Sequence, residues 1–230
     1  MRPEGRRWGT VQYGAVSGER ELRLGAELAG IVRPGVLWWD GATVVERSTD
    51  LDAALAAAER RLREQPPAPS AAVRAMYRRV GLDPTKTRPS SEALLRRVRR
   101  GEPLPRINSM VDVVNWCSVE FQLPYGLYDR TPIRGLIELR VGREGESYPG
   151  IRKDDVRVTG RMAVADDIGP FGNPTSDSAR TMVTTATGEA LVVVYAPAAV
   201  SGVEVSRVLD ETAARLARIC GGHEAGRWQA

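Results

Sequence analysis

A change of hydrophobic period part-way along the chain does most to limit what this sequence can fold into. From about residue 51 to 121 apolar residues recur at helical spacing, and from about 137 to 197 they alternate or run together as in strands. Leu51, Leu55, Ala58 and Leu62 line one face of LDAALAAAERRLRE, which Pro66-Pro67 ends. Val73, Met76, Tyr77 and Val80 form a second stripe that stops at Gly81. A third helix follows Pro89 with Ser90 as its N-cap, placing Leu94, Leu95 and Val98 on one side and Arg96, Arg97, Arg99 and Arg100 on the other. INSMVDVVNWCSVEF gives a fourth stripe of Ile107, Val111, Val114, Ser118 and Phe121, and QLPYGLYD reads as a loop. RGLIELRV then alternates, with Ile137, Leu139 and Val141 on one face. RVTGRMAVADD and EALVVVYA read as further strands, and VSRVLDETAARLARIC as a closing helix ended by Gly221-Gly222.

Upstream, ELRLGAELAGI and VLWWD are expected to be two strands around a Pro34-Gly35 turn. Residues 1–20 read as a loosely ordered arm and residues 223–230 as a tail. Between them, 21–222 form a single unit of two packed halves joined near residue 103, helical and basic around 51–106 and mainly β from 134. The fold class is α/β, of the mixed α+β kind.

At 230 residues, with 42% hydrophobic and 27% charged side chains, the chain has the composition of an ordinary globular protein. Its first ten residues carry no apolar core of a secretory signal, and no apolar run approaches the length of a membrane helix. With only Cys117 and Cys220, a disulfide scaffold is not expected, and a cytoplasmic setting is the simplest. The net charge of +4 hides an asymmetry: Arg60 to Arg106 holds thirteen Lys/Arg against four Asp/Glu. Such a segment suits a polyanion, or simply a solvated pair of helices.

Few residues offer chemistry of their own. The single histidine, His223, lies in the expected tail, which removes the usual His-based triads and zinc sites from the core. Neither a GxxxxGK[ST] loop nor a GxGxxG after a strand is present, so no cofactor is expected. Cys117, beside Trp116 and without a CxxC partner, reads as packing. Asp166-Asp167 before Gly169-Pro170 suits a turn better than a metal, and no metal site is assigned. Asn115 and Ser118, three apart on one helix, either face a pocket or serve as helix hydrogen-bonding groups.

The stretch from VRAMYRRVGLDP to LPYGLYD, above all RPSSEALLRRV, LPRIN and VDVVN, resembles the B3/4 domain of the phenylalanyl-tRNA synthetase beta subunit. It looks still more like single-domain proteins of that family, and ADDIGP and the SART–TATGEALVVVYA region fit the pattern more loosely. The resemblance implies a mixed-sheet sandwich with flanking helices and, in the synthetase, hydrolysis of tyrosine wrongly esterified to tRNA. It places Asn115 at the asparagine of the editing pocket, Gly126 where the family has a histidine, and the glycine-rich pocket loop at Gly169 to Asn173. The family's glutamate falls near Thr184 or Thr185. A glycine cannot orient water and a threonine cannot replace a carboxylate, so the tyrosine-specific reaction does not carry over. Asp129, Arg180 and Thr181 match the single-domain relatives.

The implied pocket comprises Asn115, Ser118, Tyr125, Gly126, Tyr128, Asp129, Asp167, Asn173, Arg180, Thr181 and Thr184, with Arg96, Arg97, Arg99 and Arg100 as an RNA-binding face. Three functions remain open on these residues. They are trans-editing of a mischarged aminoacyl-tRNA, non-catalytic binding of tRNA or another RNA, and a pocket reassigned to a small amino-acid-like ligand. Aminoacylation is excluded, because the chain carries no adenylate-forming motif.

Overall fold

Strand β10 (Glu189–Pro197) is buried on both faces, and the rest of the molecule is arranged to cover it. The computed structural model describes residues 22–68, 70–152 and 154–230; the expected arm at 1–20 lies outside the described residues. The first half runs β1 (Leu22–Leu24), β2 (Val32–Asp40), α1 (Thr49–Glu64), α2 (Ala71–Arg79), α3 (Ser90–Arg99) and α4 (Ser109–Phe121). Next come β3 (Tyr125–Asp129), β4 (Ile137–Val141), β5 (Ser147–Pro149), β6 (Asp155–Arg157), β7 (Met162–Ala165), β8 (Pro170–Asn173) and β9 (Ser176–Asp177). After β10 the chain closes with α5 (Gly202–Cys220) and β11 (His223–Gln229).

A four-stranded sheet, β11-β2-β10-β3, faces a five-stranded sheet, β1-β4-β7-β8-β9, with β5-β6 as a separate hairpin. Among the described residues, only β1 with β4 is a parallel pair of neighbouring strands. In the first sheet β10 pairs antiparallel with β2 from Glu189↔Asp40 to Pro197↔Val32, and with β3 from Ala190↔Asp129 to Val194↔Tyr125. Register therefore sorts the side chains. Gly35, Tyr125 and Val194 share the face under α5, where the Tyr125 hydroxyl meets Thr212 Oγ1 at 3.0 Å. Gly126, Tyr128 and Tyr195 share the opposite face, toward β8 of the second sheet, and Tyr128 meets Phe171 edge to face at 5.0 Å. The result is a mixed α/β sandwich with helices along one side.

Several local expectations give way to this packing. Pro34-Gly35 lies inside β2 rather than in a turn, because it pairs with Tyr195 and Val194 of β10, and the glycine is needed since a side chain at 35 would sit 2.7 Å from Val205 Cγ1 of α5. LPYGLYD is not a loop: Tyr125–Asp129 is a strand of the four-stranded sheet. RVTGRMAVADD divides into β6 and β7, with Gly160 at φ +70° between them. Residues 223–230 are not a tail either, since β11 covers the edge of β2 from His223↔Asp40 to Gln229↔Gly35.

The α4 stripe also differs. Ile107 is 58% exposed, whereas Met110, Val113, Cys117 and Val119 are fully buried. This helix packs against α1, α3, α5 and β3, so it is covered nearly all round. Its N-terminus is fixed by Asn108, whose side chain accepts from Val111 N at 3.0 Å and donates to Val183 O at 3.2 Å. Asp112 takes hydrogen bonds from Arg106 Nε at 2.6 Å and Ile107 N at 2.8 Å, while Arg106 also pairs with Asp52 of α1. LPRIN and VDVVN thus encode a helix junction. No helix among the described residues is long and apolar enough to cross a membrane.

Replacing Gly35 with Ala is expected to destabilise the protein by about 1–3 kcal/mol, because the stiff Val205 and the Leu209 methyl groups have little room to yield. Urea unfolding of the two proteins measures this; an unchanged midpoint would show that α5 does not hold so close to the sheet.

Candidate functional site

Of the residues the resemblance assigns to a pocket, Ser118, Tyr125, Tyr128, Asn173 and Thr181 are buried. Gly126 and Gly172 flank the Tyr128 ring: a Cβ at Gly126 would lie 2.2 Å from its hydroxyl, and one at Gly172 would lie 2.3 Å from it. Tyr128 and Tyr195 are fully buried, with hydroxyls 2.7 Å apart. Burial pushes both phenols well above their ordinary range, so both stay protonated and one donates to the other. Gly126 is required here by space, since its backbone is ordinary extended strand. Tyr125 is likewise buried, held by Thr212, and Ser118 Oγ donates to Leu123 O at 2.8 Å where α4 ends. These two are parts of the core.

The remaining implied pocket residues mostly brace loops. Asp129 accepts from Thr131 N at 2.8 Å and Thr187 Oγ1 at 2.6 Å. Thr184 is exposed and takes a bond from Ala186 N at 3.2 Å, while its own N–H donates to Thr187 Oγ1. Asn173 accepts from both the N–H and the hydroxyl of Thr175, at 2.8 and 2.7 Å, and Thr181 is buried with its hydroxyl 3.5 Å from Phe171 O. Asp167 is exposed and makes no side-chain hydrogen bond among the described residues; its neighbour Asp166 holds the loops together. Arg180 grips Asp166 with two bonds of 2.9 Å, and Arg134 N, Ile168 N and Gly169 N donate to the same carboxylate. Arg180 also donates to Pro132 O at 2.9 Å and lies 5.5 Å from the Phe171 ring centre. Burial alone would raise the Asp166 carboxyl, but the Arg180 guanidinium and the backbone donors outweigh it and hold it below the usual range.

Asn115 is half-buried and makes no side-chain hydrogen bond among the described residues, leaving its amide available. Cys117 and Cys220 are buried free thiols, and burial pushes Cys117 up to about 11, so it is inert packing. Among the described residues no group of three His, Cys, Asp or Glu side chains is placed to hold a metal.

The arginine face is different in kind. Between α2 and α3 lies a cavity of about 510 Å³ lined by Arg96, Arg99 and Arg100 of α3, Arg88 just before it, and Arg74 of α2. Glu92, its one carboxylate, is already gripped by Arg74 through bonds of 2.8 and 2.6 Å. Arg88, Arg96 and Arg99 make no ion pair among the described residues, and Arg100 only approaches Glu102 at 3.7 Å. Many other arginines are engaged, and Arg106, Arg130, Arg140, Arg180, Arg215 and Arg227 each face carboxylates; Arg23, Arg60, Arg78 and Arg157 also lack an ion pair among the described residues, but none of these lines the cavity. Arg97 departs from the expected face, since it caps the end of α3 through Pro103 O at 2.5 Å and pairs with Glu102 at 3.1 Å. Arg74 and Arg88 escape a sequence reading because they lie outside the α3 stripe; only their shared basic segment hints at them.

The sandwich and its arginine-lined helical side define a mixed α/β protein with one strongly cationic concavity. The chain belongs to the B3/4 domain family, whose profile matches residues 72–221. A solved structure similar to it is an N-terminal fragment of the phenylalanyl-tRNA synthetase beta-subunit from Pyrococcus horikoshii, at 12% identity and a TM-score of 0.49. That alignment covers 96% of this chain and 57% of the fragment, so this chain spans little more than half its length. No curated protein sequence matches significantly.

Two outcomes follow from the geometry. Gly126→Ala is expected to destabilise by about 1–3 kcal/mol, and much of that cost should vanish when Tyr128 is already Leu. Additive effects in a double-mutant cycle would show that the two positions do not compete for space. Asp166→Asn is expected to lose about 2 kcal/mol at neutral pH. Because the folded-state value is depressed, the wild-type advantage is full above the unfolded value near 3.8 and is lost as pH falls through the folded one. Denaturation of both proteins from pH 7 down to acid measures this; a pH-independent gap would refute the assignment.

Proposed function

We infer that the protein is a tRNA-binding module of the B3/4 family that works without ester hydrolysis, gripping phosphates through Arg88, Arg96, Arg99 and Arg100. The observation that carries this reading is the contrast between two sites. At the cavity between α2 and α3, Arg88, Arg96 and Arg99 face no carboxylate of their own among the described residues, since Glu92 is taken by Arg74. At the position implied for an aminoacyl pocket, Tyr128 fills the space beside Gly126. Hydrolysis would be helped by a general base, and Gly126 and Thr184, where the family resemblance implies a histidine and a glutamate, supply none. Binding needs only a cationic surface, because each phosphate neutralised releases condensed counterions. The choice of tRNA over other RNAs rests on family membership.

Fluorescence anisotropy with unacylated tRNA tests this. Affinity is expected to fall with salt at a log–log slope of about −2 to −4. Arg96→Gln with Arg99→Gln should weaken binding at least about tenfold, while Arg207→Gln, in a local pair with Glu204, should not. No binding at low salt, or binding indifferent to the double substitution, would overturn the reading. So would release of amino acid from mischarged tRNAs above the rate without protein.

A further inference from the structure

The arginine cavity is a concavity, and that shape points to a narrower ligand than nucleic-acid backbone in general. Resting on the tRNA-binding reading above, we propose that this cavity receives a terminal phosphomonoester, the 5′-phosphate at the acceptor end of the RNA, in addition to any internal phosphates nearby.

Charge makes the first case. Five guanidinium groups line the cavity against the single carboxylate of Glu92, which Arg74 already neutralises. An internal phosphodiester offers one negative charge. A phosphomonoester carries about 1.5–2 at neutral pH and presents three terminal oxygens. Such a group can accept from several planar forks together, which arginine matches better than lysine.

Geometry makes the second. Arg96 and Arg99 of α3 and Arg100 at its C-cap stand at positions i, i+3 and i+4, on one helical face, and all three line the cavity. Arg88 enters from the turn before the helix and Arg74 from α2, so the cations surround the space. A surface that tracks a backbone would instead spread its cations along a stripe. The cavity volume of about 510 Å³ lies within the roughly 300–1,000 Å³ of sites that enclose small ligands.

The lining makes the third. No aromatic side chain is among the described residues that line the cavity, and Leu95 is the one apolar residue. The lining therefore offers charge and hydrogen-bond donors in place of an aromatic stacking face.

The test compares one tRNA transcript, labelled at its 3′ end, with its 5′-phosphate intact and after phosphatase treatment. The phosphorylated form is expected to bind about fivefold more tightly or better. Arg96→Gln with Arg99→Gln should abolish that preference while circular dichroism and thermal unfolding stay unchanged, and Arg207→Gln should keep it. The preference should also shrink as pH falls through about 6, where the phosphate becomes a monoanion. Equal affinity for the two tRNAs would overturn end recognition and leave general tRNA binding standing. Absence of binding by either would overturn both. Adenosine 5′-monophosphate competing as well as the phosphorylated tRNA would assign the cavity to free nucleotides and overturn the RNA-end assignment.

Discussion

Burial of β10 on both faces is the constraint on which the remaining structure depends. A strand reading ALVVVYA can leave neither side to water, so it needs a helical layer on one side and a second sheet on the other. Gly35 lets α5 come down on the first side, and Tyr128 with Phe171 fills the space between the sheets on the second. The same packing sets the Tyr128 ring against Gly126, a position that the family resemblance assigns to a pocket. Its buried hydroxyls meet one another, as the low-polarity surroundings demand.

Electrostatics divides the molecule just as clearly. Arg106 joins α1 to α4, Arg180 ties three loops to Asp166, and Arg215 lies 3.9 Å over the Trp116 ring while pairing with Glu120. Each of these cations is used inside the fold. Arg88, Arg96 and Arg99, beside the cavity between α2 and α3, face no carboxylate among the described residues, so their mutual repulsion is a cost that an anion there would relieve.

The sequence is most legible where the causes are local. The switch of period, the helical stripes of α1 to α3, the Gly221 stop and the spacing of Arg96, Arg99 and Arg100 all follow from neighbours within a few turns. It misleads where a distant element decides. Pro34-Gly35 has turn chemistry but is straightened by its pairing with β10, and HEAGRWQ has no alternation yet is held by the edge of β2. At the site, Asp167 and Asp166 are adjacent acids that the Arg180 grip and three backbone donors to Asp166 distinguish. Gly126 is visible as a departure from the family, whereas its cause, the Tyr128 ring beside it, is a matter of three-dimensional space.

That ring also couples two positions. With any side chain at 126 the inward Tyr128 rotamer is crowded, and with Tyr128 inward any side chain at 126 is crowded. The two compete for one volume, so a change at either is felt at the other, and a larger residue at 126 is tolerated best where the ring at 128 has already given way to something smaller.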